Sequence, residues 1–208
     1  MDGPRQRCGV LLAGGTSTRF GGGPKGLASL GAMRVADGPL RALERVCDEV
    51  VIAANDPDAT VWFASHTIVR DAIPGRGALG ALETALRAAN GRTLVVCAWD
   101  MPFVTAATLE TLAAVVDAGA SCCVPQHADG LLEPLCAAYA PICADVATAL
   151  LAQGERAAHL VQQACGGVGW SIADHVSGEQ ATRVFFNVNT HDDLRLAASW
   201  LTLHPNLA

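Results

Sequence analysis

Short, almost continuously apolar runs alternate along this chain with stretches whose apolar positions recur every three or four residues. The first kind reads as buried strands and the second as amphipathic helices. Residues 8–13 form the first strand. It opens into a loop carrying Gly14, Gly15, Gly21, Gly22 and Gly23. Residues 26–30 are expected to start the first helix, and 31–38 are rich in turn residues. A helix over 40–47 places Leu40, Leu43, Val46 and Cys47 on one face. Residues 49–55 read as a strand ending in the turn signal Asn-Asp-Pro. After a connection at 62–64, a short third strand covers 66–71. Residues 73–80 are a second glycine-rich loop, running into a helix over about 81–89 that Gly91 stops. Residues 92–100 read as a strand, apolar in its interior, ending at Asp100. Thr105 is expected to cap a helix running to about residue 118. Strands follow at 121–126 and 135–139, with a turn at Gly130. Helices are expected at 141–152 and 157–164, and Gly166, Gly167 and Gly169 then interrupt the pattern. The last strand is expected at 184–189. A closing helix over 191–203 puts Leu194, Ala197, Ala198 and Leu201 on one face.

Alternation of this kind, with strands apolar on both faces, implies a largely parallel sheet covered by helices on each side. Ligands of such sheets sit beyond the carboxyl ends of the strands. Asn55, Asp71, Asp100 and the first glycine loop all fall at such ends, and Asn187 and Asn189 lie toward another. A parallel sheet would gather them into one crevice.

Composition narrows the classes. The chain has 208 residues, 51% hydrophobic and 16% charged, which suits one domain over 1–208 with a well-buried core. The net charge of −6 without a basic run argues against nucleic acid. No apolar stretch reaches the roughly 18 residues that span a bilayer. The N-terminal residues lack the features of a signal peptide, so a cytoplasmic location is expected. Eight cysteines occur without C-x-x-C or zinc-like spacing, and most lie in apolar runs. They read as reduced, small hydrophobes.

The first glycine loop carries the chemistry. Glycines let backbone N–H groups approach an anion without Cβ clashes, especially where a strand feeds a helix. Ser17 and Thr18 add hydroxyl donors, and Arg19 and Lys25 add charge. The spacing fits neither a Walker A loop nor a dinucleotide fingerprint. Lys25 is the only lysine among 14 basic residues, placed on what is expected to be a solvated loop. A compact ammonium there suits phosphate. Asp100, a strand-end carboxylate beside a polyphosphate, suits Mg²⁺, a hard cation that takes oxygen ligands.

Leu-Ala-Gly-Gly-x-Ser-x-Arg-Phe-Gly followed by Lys25 resembles the signature of nucleotidyltransferases typified by molybdenum cofactor guanylyltransferase. Pro24 stands where that family often has an acidic residue. Further resemblances lie at Asp100-Met-Pro-Phe, at Asp71 before Pro-Gly, at Asn55, at Glu133-Pro-Leu, and at Asn187-Val-Asn189-Thr-His-Asp-Asp-Leu. The resemblance implies a three-layer Rossmann-like α/β sandwich and Mg²⁺-dependent transfer of GMP from GTP to molybdopterin or a related phosphate acceptor. It implies that Leu12, Ala13, Gly14, Gly15, Ser17, Arg19 and Lys25 hold the triphosphate. Asp100 would hold the metal, Asn55 and Asp71 would contact the nucleotide, and Asn187 and Asn189 would bind acceptor phosphate or order the metal site. Glu133-Pro-Leu would line the acceptor side. Cytidylyl transfer, transfer to a sugar phosphate, and nucleotide binding without turnover stay open as alternatives.

Overall fold

The computed structural model describes residues 6–14, 20 and 23–203. Its elements are β1 (Arg7–Leu12), a 3₁₀ turn (Lys25–Leu27), β2 (Ser29–Leu30), β3 (Met33–Arg34), α1 (Asp37–Val46), β4 (Glu49–Ala53), α2 (Ala59–Trp62), β5 (Thr67–Val69), α3 (Gly77–Ala88), β6 (Thr93–Ala98), α4 (Ala106–Asp117), β7 (Cys122–Gln126), β8 (Cys136–Tyr139), α5 (Cys143–Ala152), α6 (His159–Cys165), β9 (Val168–Ser171), α7 (Ile172–His175), α8 (Gly178–Val184) and α9 (His191–Leu203). Seven strands form one sheet in the order β5-β4-β1-β6-β8-β7-β9. All its pairings are parallel except those of β8, which runs antiparallel to β6 and β7.

The near-continuous apolar runs have a direct cause. Successive strand side chains point to opposite faces, and both faces of this sheet are covered. Leu11, Ile52, Val95 and Cys97 pack under α1 and α4, against Leu43, Leu109 and Leu112. Val10, Leu12, Leu94 and Val96 pack on the other face, against Leu79 and Leu82 of α3 and Leu151 of α5. A third cluster joins Leu30, Val35, Phe103 and Val188 to Ala197 of α9. Thr105 caps α4 as expected, its hydroxyl accepting from the Thr108 N–H at 3.1 Å.

Several expected elements differ. Residues 26–30 make no helix, because the chain turns once in 3₁₀ form and enters the two-residue β2, paired with β3. The 62–64 connection gives way to the short helix α2, and α3 begins four residues before its expected start. The last strand is absent. Residues 178–184 are helical and the following segment is irregular. Its apolar residues are buried in two directions instead, Val184 and Phe185 toward the sheet and Val188 toward α9. The strand that closes the sheet is β9, where three glycines suggested an interruption. A Cβ on Gly167 would lie 2.1 Å from the Cys122 sulfur, so glycine permits this close approach.

Six of the eight cysteines are buried. Burial pushes the thiols of Cys47 and Cys123 up to about 12, which leaves them protonated and unreactive at neutral pH. The six buried thiols, shielded from reagent by packing, are expected to stay silent to Ellman's reagent until denaturant is added; rapid reaction in the native protein would contradict this packing. No helix among the described residues is long and apolar enough to cross a membrane.

Candidate functional site

β5, β4, β1 and β6 run parallel and adjacent, so their carboxyl ends line one edge in that order. Asp71 follows β5, Asn55 follows β4, Gly14 follows β1 and Asp100 follows β6. With strands about 4.8 Å apart, Asp71 and Asp100 stand roughly 14 Å from each other along this edge. Leu12 and Ala13 are buried as the end of β1. The Ala13 N–H donates to the Ala53 carbonyl and the Trp99 N–H to that of Leu12. Gly14 is exposed and would accept a Cβ without contact. Gly15, Ser17, Thr18 and Arg19 lie outside the described residues.

At one end of the edge, Asn55 and Asp71 are bonded reciprocally. Asn55 Nδ2 donates to Asp71 Oδ2 at 2.8 Å, and the Asp71 N–H donates to Asn55 Oδ1 at 2.9 Å. Thr84 Oγ1 donates to the other carboxylate oxygen at 2.8 Å. Two donors thus hold the Asp71 carboxylate at a fixed angle. Thr84, which holds this candidate site residue, is one that sequence reasoning missed. Its signal is a polar residue on the apolar face of α3, between Leu82 and Leu86, and it is buried there.

At the other end, Lys25 Nζ donates to Asp100 Oδ2 and, at 2.7 Å, to Asn189 Oδ1. The Lys25 side chain is only 13% exposed, so the expected solvated loop is corrected: the ammonium is drawn onto a buried carboxylate. Asp100 Oδ1 is buried and has no hydrogen-bond partner among the described residues. An orphaned carboxylate oxygen is costly unless something satisfies it. A hard cation fits that need. No group of three or more His, Cys, Asp or Glu side chains able to hold a metal occurs among the described residues. Asp100 is thus a residue that could offer an oxygen to Mg²⁺, an ion that usually completes its shell with phosphate and water.

Trp99 fixes this end, and sequence reasoning also missed it. Its ring lies against the backbone of Gly26, where a Cβ would come within 2.3 Å of ring carbons. The indole is 3% exposed and cannot retreat. Gly26→Ala is expected to cost about 2 kcal/mol by overpacking. Because Gly26 follows Lys25, nucleotide affinity should fall with it. Thermal denaturation with and without nucleotide checks both, and an unshifted melting temperature would count against the contact.

Asn187 and Asn189 do not share a strand face. The Val188 N–H donates to the Asp100 carbonyl at 2.8 Å, tying the segment to the end of β6. That tie delivers Asn189 to Lys25, while Asn187 lines a neighbouring cavity. Thr190 caps α9 through the Asp193 N–H at 3.1 Å, and Asp193 returns the bond to the Thr190 N–H at 2.8 Å. The cavity holds about 580 Å³, within the usual range for a small-molecule site, and both Asp100 and the Glu133-Pro-Leu segment line it.

The model of the MobA-like NTP transferase domain matches residues 9–166. The molybdenum cofactor guanylyltransferase of Desulfosudis oleivorans is 30% identical over 197 residues, 91% of this chain and 93% of its own. A probable molybdenum cofactor guanylyltransferase of Chloroflexus aggregans is 32% identical over 203 residues, covering 93% and 94%. The crystal structure of molybdopterin-guanine dinucleotide biosynthesis protein A from Archaeoglobus fulgidus superposes with a TM-score of 0.78 at 27% identity, covering 94% of this chain and 99% of that one.

Proposed function

The chain belongs to the MobA-like NTP transferase family and is a nucleotidyltransferase, and on that premise we propose that it transfers GMP from GTP to molybdopterin, releasing pyrophosphate, with Mg²⁺. The observation that carries this reading is the Lys25–Asp100 pair at the wall of the cavity, with one carboxylate oxygen buried and left without a partner among the described residues. When bound, Mg²⁺ supplies neutralisation of charge on the α-phosphate and the leaving pyrophosphate.

The chain's own residues do the positioning. The Lys25 ammonium beside Asp100, and the backbone at Gly14 after the neighbouring β1, would hold the triphosphate. Ser17 and Arg19, next in sequence, would add donors. Asn189 keeps Lys25 aimed, and the tie from Val188 to Asp100 keeps Asn189 in place. The acceptor phosphate enters from the cavity side, where Asn187 offers a carboxamide. Transfer of this kind needs alignment and electrostatics rather than a covalent enzyme intermediate.

Base choice follows from Asp71. Guanine presents N1–H and the 2-amino group side by side, and one carboxylate accepts from both. Adenine and cytosine lack that adjacent pair and leave charge unpaired. Asn55 and Thr84 leave lone pairs of Asp71 available while holding the group still. GTP is expected to bind at least about tenfold better than CTP or ATP, or roughly 1.4 kcal/mol. Asp71→Ala should erase most of that preference. A thermal-shift screen of the four nucleoside triphosphates with Mg²⁺ tests it. Equal affinity for GTP and CTP would remove guanylyl transfer and leave only the general class.

A further inference from the structure

Residues 20–25 read Phe-Gly-Gly-Gly-Pro-Lys, so a run of glycines separates two large side chains. Glycine loses more backbone freedom on ordering than any other residue. A ligand that needs such a run in one arrangement bears that cost unless the protein fixes its ends beforehand. Both ends are fixed, and by one short segment, Val188 to His191. Asn189 Oδ1 accepts from the Lys25 ammonium at 2.7 Å. The His191 ring lies stacked on the Phe20 ring, with centroids 4.4 Å apart and planes 30° from parallel. Phe20 is buried, in a cluster with Leu30, Val35, Phe103, Val188 and Ala197.

The segment that makes these two contacts is itself tied down. The Val188 N–H donates to the Asp100 carbonyl at 2.8 Å. Asp193 Oδ2 accepts from the N–H groups of Asn189 at 2.9 Å and Thr190 at 2.8 Å. His191 follows directly, and it has no polar task. It is exposed, and among the described residues it makes no hydrogen bond or ion pair. The resemblance that implies roles for Asn187 and Asn189 implies none for it. What its imidazole offers is a flat face, and a stacked pair of rings is worth about twofold to tenfold in an equilibrium. We propose that His191 is a positioning residue for triphosphate binding, acting through Phe20: with Asn189 on Lys25, it sets the two ends of the glycine run before the ligand arrives. This rests on the transfer reading above for what Lys25 holds, and extends it to a residue outside the phosphate contacts.

Isothermal titration of the full chain with GTP, CTP and GMP, each with Mg²⁺, tests it in the wild type and in His191→Ala, His191→Phe and His191→Gln. His191→Ala is expected to weaken GTP about five- to tenfold and GMP less than about twofold, because GMP lacks the β- and γ-phosphates. His191→Phe keeps the stack and should restore wild-type affinity. His191→Gln keeps a polar group without a ring and should not. Residue 191 is exposed, so the melting temperatures of the four free proteins should agree within about 3 °C. Unchanged GTP affinity in His191→Ala, an equal loss for GTP and GMP, or recovery in His191→Gln but not in His191→Phe would overturn the proposal. So would a fall in the melting temperature of His191→Ala beyond that limit, which would make the contact a structural one. A wild type that prefers CTP, with the same dependence on residue 191, would overturn guanylyl transfer and leave the positioning role. A wild type that binds neither triphosphate would overturn both.

Discussion

Asp100→Asn is expected to lower Mg²⁺-dependent transfer by at least about 100-fold, or roughly 2.7 kcal/mol of barrier. The side chain keeps its size and its position after β6. Asparagine still offers Lys25 an acceptor through its carbonyl oxygen. The tie from Val188 uses the backbone carbonyl of residue 100 and is untouched. The stability loss should therefore be smaller than that of Lys25→Ala, on the order of 1–2 kcal/mol, because Lys25 keeps two neutral oxygen acceptors. What disappears is the charge by which Asp100 would hold a hard cation. Pyrophosphate release measured across a Mg²⁺ titration separates the two effects. Normal turnover with an unchanged Mg²⁺ requirement would place the metal elsewhere and reduce Asp100 to a partner of Lys25.

Lys25→Ala should act on fold and function together. Asp100 is 7% exposed, and its only cation among the described residues is Lys25. Removing one member of a buried pair strands the other, at about 3 kcal/mol. The same change removes the ammonium from the triphosphate site, where a charged hydrogen bond contributes about 1.5–3 kcal/mol. The two losses respond differently to metal. Mg²⁺ binding at Asp100 restores a positive partner and adds up to about 2.7 kcal/mol at 100 times its dissociation constant. The variant's melting temperature should thus recover with Mg²⁺, while its affinity for triphosphate should stay low. A variant as stable as the wild type without Mg²⁺, and equally good at binding GTP, would contradict the site.

Much of this was legible in the residues. The runs at β1, β4 and β6 are apolar on consecutive positions because helices cover both faces of the sheet. A reader needs only the period-2 geometry of strands to recognise that. Asp71 and Asp100 stood out because polar residues close apolar runs there. Lys25 stood out as the sole lysine. The glycines of β9 and the apolar residues near Val184 misled for one shared reason. Local pattern reports burial, and burial is reached equally well by a strand, by a helix end or by an irregular segment packed on α9.

The sequence by itself determined which apolar runs are buried, the alternation of strands and helices, and the polar groups that end the strands of the site. Those are local properties, set by hydrophobicity and backbone sterics over a few residues. Only the tertiary structure decided the partnerships: Lys25 on Asp100 and Asn189, Thr84 on Asp71, Trp99 on Gly26 and His191 on Phe20. The first three join residues 13 to 164 positions apart, brought together by the parallel order of β5, β4, β1 and β6 and by the tie at Val188. No period along the chain encodes such pairs, because they arise from the register of distant strands and from the close packing of the side chains between them.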